Sequence, residues 1–339
     1  MAHYVLRRLA LAAFALWGVA TLVFLMSRLI PGDIAAVAAG RLATPEQVEQ
    51  MRVTLGLDRP LVVQYADYLL GAVTGDFGVS AYTHRPIVEE VAEVLPSTVQ
   101  LVLMGMFITV VVALPLGIWA ALREGRGADA AIRILLVLKG GIPVFWLAIV
   151  LRWVFGSILG WFPITGENSI GGAPPDVTGF TILDSLLFGS FANLRDSVSH
   201  LFLPALALSA PFISTLARNV RSNMLTAMRS DYITFAVSKG VPPGRVVMRH
   251  GFRSAFGSTL TIFGLQFGWM ISAAVLVETV FALQGIGSLM YKSIVNHDTF
   301  AVLGSVLVIG FVFVFTSLVV DLLHMLLDPR VRTAQLARA

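Results

Sequence analysis

The chain has 339 residues, of which 57% are hydrophobic and 13% charged, about half the charged share of a soluble protein, which argues against a water-soluble fold. Its net charge of +4 comes from 24 Lys and Arg against 20 Asp and Glu, spread along the chain as an orientation signal rather than gathered into a nucleic-acid surface. The absence of cysteine rules out disulfides, thiolate metal sites and cysteine nucleophiles.

Six apolar stretches qualify to cross a hydrocarbon core, which takes roughly 20 helical residues at about 1.5 Å each. They cover residues 9–30, 98–122, 132–155, 201–217, 255–281 and 300–327. The pattern predicts an all-α polytopic membrane protein with six transmembrane helices. Residues 1–30 form an N-terminal tail and first span; the opening MAHYVLRR resembles a signal peptide, but its apolar run is long and lacks a clear small-residue cleavage site.

Residues 31–97 read as an extracytoplasmic helical segment. Within TPEQVEQMRVTLGL, Thr44 can cap a helix that has Pro45 in its first turn, and LVVQYADYLLGAV has the pattern of a second, amphipathic helix. Residues 98–327 form a five-helix core. Its first span has no charge from Thr98 to Leu122, and Pro115 and Gly117 predict a kink supported by neighbouring helices. Extracytoplasmic loop 156–200 follows the next span. Its part from 165 to 199, rich in Gly, Pro and Ser, reads as an irregular loop, either a lid or partner contact or a passive linker. The span at 201–217 is short and holds Pro204 and Pro211, which suits either a broken helix beside a cavity or simple packing. Loop 218–256 is cytoplasmic, and residues 328–339 are a cytoplasmic tail.

Orientation follows from the Lys and Arg bias. With both termini inside, most basic residues fall on the inner face, from Arg7 and Arg8 through Arg123, Arg126, Arg218, Arg221 and Arg229 to Arg330 and Arg332. The outer segment at 31–96 has four Arg against nine Asp and Glu. The expected topology is N-in, C-in.

The inner loop contains SDYITFAVSKGVPPGRVVMRHGFRSAF, residues 230–256. Ser230 is a suitable N-cap and Asp231 complements the positive end of the helix dipole. Lys239 complements the negative end, Gly240 can adopt the left-handed C-cap conformation, and Pro242 and Pro243 forbid continuation. The result is a helix of about two turns exposing Tyr232, Ile233, Phe235 and Ala236. Isolated helices this short are marginal in water, so it must pack against the chain's own spans, the membrane face or a separate protein.

This stretch resembles the cytoplasmic loop of binding-protein-dependent ATP-binding-cassette importer permeases. DYITFAVSKG with RVVMRHGFRSAF is close to the version in the dipeptide and oligopeptide permease family, which also serves nickel and glutathione transporters. Stretches similar to its B-type subunit continue in order along nearly the whole chain, among them YVLRRLALAAFALWGVATLVFLMSRLIPGD, LGLDRPLVVQYADYL, LPSTVQLVLMG, LGWFPITG, HLFLPALALS, VETVFALQGIGSLM and DLLHMLLDPRVR. The chain departs from the general pattern at Thr234, Phe235 and Ala236, where Glu-Ala-Ala is usual, and at Phe256, Gly257 and Ser258, where peptide permeases have a proline.

The resemblance implies a type I importer permease fold. It implies a bacterial cytoplasmic-membrane complex with a homologous second permease as heterodimer partner, two ATPase subunits below and an extracytoplasmic substrate-binding protein above. The ATPase-coupling residues are then Asp231, Tyr232, Phe235, Ala236, Lys239 and Gly240. ATP and Mg belong to the ATPases; this chain binds no cofactor or metal and interacts with lipid, not nucleic acid. Glu278 and the turn from Gly285 to Gly287 resemble a stretch near the outer gate, with a structural cap as the alternative. Polar groups in the spans, namely Ser209, Ser214, Thr215, Gln266, Trp269 and Ser272, suit either lining a pathway or helix packing. The cargo is expected to be a di- or oligopeptide, with a nickel chelate or glutathione as alternatives.

No G-x-x-x-x-G-K-[ST] phosphate loop is present, nor H-E-x-x-H or G-x-S-x-G, and the six histidines have no metal-ligand spacing. Neither an enzyme nor an ATPase is expected from these motifs. An ion-coupled secondary transporter would place ionisable groups at the bilayer midplane. Arg28, Arg152, Glu278 and Lys139 instead lie toward span ends.

Overall fold

A computed structural model describes residues 2–29, 33–40, 43–127, 129, 141–169 and 175–327. These residues form helices and connecting turns. Their only β-type pairing is an isolated bridge between Val79 and Pro86. The helices are α1 (Ala2–Leu29), α2 (Ile34–Ala39), α3 (Pro45–Thr54), α4 (Leu61–Thr74) and α5 (Ile87–Leu122). Next come α6 (Val144–Leu151), extended by a π-helical segment at Arg152–Ile158, then α7 (Thr181–Leu187), α8 (Phe191–Met228) and α9 (Asp231–Ser238). A π-helical segment at Val246–Phe252 leads to α10 (Arg253–Phe281), α11 (Ile286–Val295) and α12 (Thr299–Leu327).

Five helices are long and apolar enough to cross a membrane, at Val5–Leu29, Ile87–Leu122, Phe191–Met228, Ile262–Phe281 and Thr299–Val320. The expected span at 132–155 is represented by the shorter apolar helix Val144–Ile158; its first residues lie outside the described ones. α8 sits at the centre, with 72% of its apolar window buried, against 17% for α1 and for α12. Leu101, Leu208, Leu216, Met224 and Met270 of α5, α8 and α10 are buried in one continuous apolar cluster. α1 packs on α12 at the edge through Ala20, Val23 and Leu307.

Two helices extend well beyond the apolar spans read from the sequence. α5 starts at Ile87 and passes through Pro96 as well as Pro115. α8 runs unbroken from Phe191 to Met228 through Pro204 and Pro211. Each proline removes one backbone donor, a loss that tightly packed neighbouring helices can support. The expected irregular loop at 165–199 also contains α7 and the first turns of α8. By contrast, α3 begins as expected: Thr44 Oγ1 accepts from the Gln47 amide, Gln47 returns a bond to the Thr44 amide, and Pro45 occupies the first turn.

Candidate functional site

The short helix α9 lies beyond the C-terminal end of α8. It occupies Asp231–Ser238, and Lys239 is its C-cap. Gly240 follows at φ +74°, a left-handed conformation suited to glycine. The Gly240 amide donates to Val237 O at 2.9 Å and the Val241 amide to Ala236 O at 3.2 Å, the paired bonds of a Schellman ending. Ser230 is the N-cap residue but makes no side-chain cap. Its hydroxyl instead donates to Ala227 O at the end of α8, leaving Asp231 as the acidic residue of the first turn.

The two faces of α9 differ. Ile233 and Ala236 are buried on the side where the helix packs against the π-helical segment at 246–252. This corrects the expectation that both face outward: they are where the chain itself supplies the missing partner. Tyr232 and Phe235 remain exposed, at 44% and 60%. Lys239 Nζ stands 4.4 Å from the Phe235 ring centroid, holding the aromatic in a cation–π contact. An exposed aromatic face on a helix whose opposite face is anchored is a rigid knob able to enter a groove in a partner.

Ion pairs fix the surrounding chain. Arg221 of α8 donates from Nε and Nη2 to the two carboxylate oxygens of Asp129, each at 2.7 Å. Asp129 is buried. Arg229, next to α9, pairs with Glu124 at 2.7 Å. The segment after α5 is thereby tied to the end of α8 that carries α9.

The opposite end of the bundle is built around Glu278, which is fully buried. Its Oε2 accepts the amides of Gly287 at 2.8 Å and Ser288 at 3.2 Å, while Thr98 Oγ1 donates to Oε1 at 2.7 Å. Thr98 Oγ1 also accepts the Ile286 amide at 2.8 Å. These three amides open α11, so Glu278 and Thr98 cap it from two other helices. A Cβ on Gly285 would stand 2.2 Å from the Glu278 carboxyl carbon, and one on Gly287 would stand 2.3 Å from Val275 Cα. Glycine is required at both positions by close approach. Ser97 donates to Glu167, which also accepts the Gln284 amide at 3.3 Å. Arg152 donates to Val280 O.

The remaining polar span residues are dispersed. Ser209 and Ser214 are fully buried, and their hydroxyls donate to Leu206 O and Ala210 O of their own helix, at 2.9 and 3.4 Å. Thr215 is exposed and bonds Pro211 O at 3.2 Å. Gln266 is buried; its amide donates to Phe212 O at 3.2 Å and joins α10 to α8, while its Oε1 has no partner. Trp269 and Ser272 are exposed on α10 together with Leu265 and Leu276. Among the described residues no group of three or more His, Cys, Asp or Glu is placed to hold a metal.

Sequence reasoning did not single out Thr98, Glu167 or the Asp129–Arg221 pair. The sole sequence signal for Thr98 was its place at the edge of an uncharged run; its partners are 180 and 188 residues away.

A bundle of apolar, membrane-length helices with a separately anchored, aromatic-faced helix at one end defines a multi-pass membrane protein. Residues 113–333 match the family described as binding-protein-dependent transport system inner membrane component, and residues 1–102 match the N-terminal part of such membrane components. The chain belongs to this family of transport permeases. It is similar to the dipeptide transport system permease protein DppB of Alkalihalophilus pseudofirmus, 34% identical over 332 residues that cover 98% of this chain and 100% of that protein. It is likewise similar to the di/tripeptide transport system permease protein DppB of Pseudomonas aeruginosa, 35% identical over 333 residues covering 98% and 99% of the two chains.

Proposed function

We propose that this chain is the permease subunit of an ATP-driven importer of di- or oligopeptides in a bacterial cytoplasmic membrane. It forms half of the translocation pathway beside a homologous permease. The observation that carries the reading is α9, anchored by Ile233 and Ala236 and presenting Tyr232 and Phe235 outward, in a chain similar from end to end to permeases named for dipeptides. Asp231, Lys239 and Gly240 set the ends of that helix.

In this reading each of two ATPase subunits, which bind ATP and Mg, receives one such helix in a groove, from this chain or from its homologue. Closure of the ATPases moves the anchored helix. Because α9 is joined to α8 through Ser230 and the Asp129–Arg221 and Glu124–Arg229 pairs lock the neighbouring loop to the same end, the motion passes into α5 and α8 as a body. The exposed stripe of Leu265, Trp269, Ser272 and Leu276 faces the second permease, where Trp269 and Ser272 offer an aromatic surface and a hydroxyl to a passing peptide backbone. A binding protein delivers cargo at the end built around Glu278, whose cap holds α11 in place.

Reconstitution of this chain with its partner permease, ATPases and peptide-loaded binding protein in liposomes tests the reading. Peptide-dependent ATP hydrolysis and uptake are expected. Hydrolysis indifferent to every peptide offered would overturn the cargo, and failure of the ATPases to assemble with the chain would overturn the role of α9.

A further inference from the structure

Two cavities adjoin between α1, α4, α5 and α12, the smaller at the end of α1 that carries Arg28. The larger, about 760 Å³, has an almost wholly apolar wall that includes Leu16, Trp17, Leu69, Val91, Leu95 and Phe311. The smaller, about 250 Å³, is lined in part by Arg28, Gln64, Tyr68, Asp67 and Asp76. Ala72, Phe77 and Leu307 border both, so an apolar chamber opens beside a polar one.

The larger chamber lies beside the middle of α1, a membrane-length helix. At that depth the surrounding medium is hydrocarbon, and an open apolar chamber is filled by it. The exposed residues of α4 agree with this placement. Val62 and Leu70 are 79% and 65% exposed, and Val73, which borders the larger chamber, is 87% exposed, an apolar face that suits a helix resting in lipid. Tyr65 hydrogen-bonds Thr21 at 2.6 Å and packs on Phe24, which holds α4 alongside α1.

The smaller chamber contains groups with no matching partner among the described residues. The Tyr68 hydroxyl is buried without a hydrogen-bond partner. Arg28 donates to Gln64 and lies 5.0 Å from the Phe24 ring centroid, yet no carboxylate pairs with it among the described residues. Asp76 is exposed; among the described residues it accepts the Gly78 amide at 3.0 Å and pairs with no cation. Asp67 is neutralised by Arg59 at 3.2 Å. One unpaired cation and one unpaired anion thus share a chamber without pairing with each other. Arg28 and Asp76 are both exposed at the chamber's rim, where a ligand carrying an anion and a cation can pair with each of them.

We propose that the two chambers form a binding site for one zwitterionic phospholipid with a primary ammonium headgroup. An acyl chain fills the larger chamber. The lipid phosphate accepts from Arg28 and from the Tyr68 hydroxyl, and the ammonium donates to Asp76. An anionic lipid would leave Asp76 unmatched, and a quaternary ammonium has no N–H to give it. The occupant ties α4 to α1 and α12 and holds the segment between the first two spans at a fixed depth, whichever solute the permease carries.

The test uses the full-length chain in complex with the subunits that co-purify with it, stripped with detergent and titrated under native mass spectrometry. The probes are phosphatidylethanolamine, phosphatidylcholine, phosphatidylglycerol and diacylglycerol with the same acyl chains. One phosphatidylethanolamine per chain is expected, bound about tenfold more tightly than the other three. Arg28→Gln and Asp76→Asn should each weaken it by about tenfold and abolish the headgroup preference. Tyr68→Phe, which removes only the orphan hydroxyl, should weaken it severalfold with an unchanged melting temperature of the stripped complex. Ala72→Trp, at the junction of the chambers, should eliminate binding. Equal retention of all four lipids, unchanged affinity in both charge variants, or a cross-link from Val91 to a helix of another subunit in place of lipid would each overturn the proposal.

Discussion

Thr98 of α5 and Glu278 of α10, joined by a 2.7 Å hydrogen bond across 180 residues of sequence, act as one N-terminal cap for α11. Neither satisfies the helix alone, because Thr98 takes the Ile286 amide and Glu278 takes those of Gly287 and Ser288. Thr98→Val keeps the shape but strands one buried donor and one carboxylate oxygen. A loss of about 1–3 kcal/mol is expected. Glu278→Ala strands two amides and should cost more. In a double-mutant cycle the losses should fall short of additivity, since each change destroys part of the same cap. Thermal midpoints of the four proteins in one detergent would check this, and strict additivity would refute the shared cap.

The two-faced character of α9 separates assembly from folding. Ile233→Asp puts a charge in the buried face and should unfold the loop, lowering yield and melting temperature together. Phe235→Ala removes an exposed ring held by Lys239 and should leave the stability within about 0.5 kcal/mol, while weakening retention of the ATPases. Gly240→Val places a β-branched residue at φ +74°, strained whatever space surrounds it. Its expected phenotype is ATP hydrolysis without uptake in the reconstituted complex; wild-type coupling in that variant would remove the Schellman ending from the mechanism.

What the sequence could reveal depended on how local the cause was. The limits of α9 were legible because Asp231, Gly240, Pro242 and Pro243 are all within a few residues of the ends they determine. Its inward face was not, because Ile233, Phe235 and Ala236 are all apolar and only the fold packs the helix on the segment at 246–252, with Ile233 and Ala236 buried and Phe235 exposed. Pro204 and Pro211 left a broken helix and simple packing equally open, and packing around the central α8 holds the helix through both. The polar stretch FANLRDSVSH reads as loop, yet it forms the first turns of α8 beyond the apolar core, with Ser190 accepting from the Asn193 amide at 3.5 Å. The cap made by Thr98 and Glu278 depends on three distant segments and left no local pattern.

The pair Asp129–Arg221 provides a test of rigidity near α9. Asp129 is almost fully buried, and both its oxygens are engaged by one guanidinium. Removing the carboxylate leaves a charge without its partner, which costs about 3–5 kcal/mol in buried pairs. Asp129→Ala should therefore destabilise strongly, whereas replacement of both residues by apolar ones of similar size should recover most of the loss. Coupling should not recover, because the loop after α5 would no longer be held to α8. Peptide-stimulated ATPase activity measured beside the melting temperature distinguishes the two effects.

Two carboxyls outside the spans give the structure opposite responses to pH. Burial pushes the Glu167 pKa above the ordinary carboxylate range, against the hydrogen bonds it accepts from Ser97 and the Gln284 amide. The folded state then holds this proton more tightly than the unfolded one. Its contribution is complete below the unfolded pKa and is lost as pH rises through the folded value. For Asp184, burial also works upward, but bonds from the Thr178 hydroxyl and the amides of Thr178 and Val177 outweigh it and leave the pKa lowered. Its contribution is present above the unfolded value and disappears as pH falls through the folded one. Glu167→Gln, a neutral stand-in, should raise the melting temperature at neutral pH and remove the decline that sets in as pH rises above the ordinary carboxylate range. Asp184→Asn should lower the melting temperature at neutral pH and flatten the loss on the acid side. Melting curves of wild type and both variants across pH 3 to 8 would show the two windows separately; a single common slope in all three proteins would rule out these carboxyls as its source.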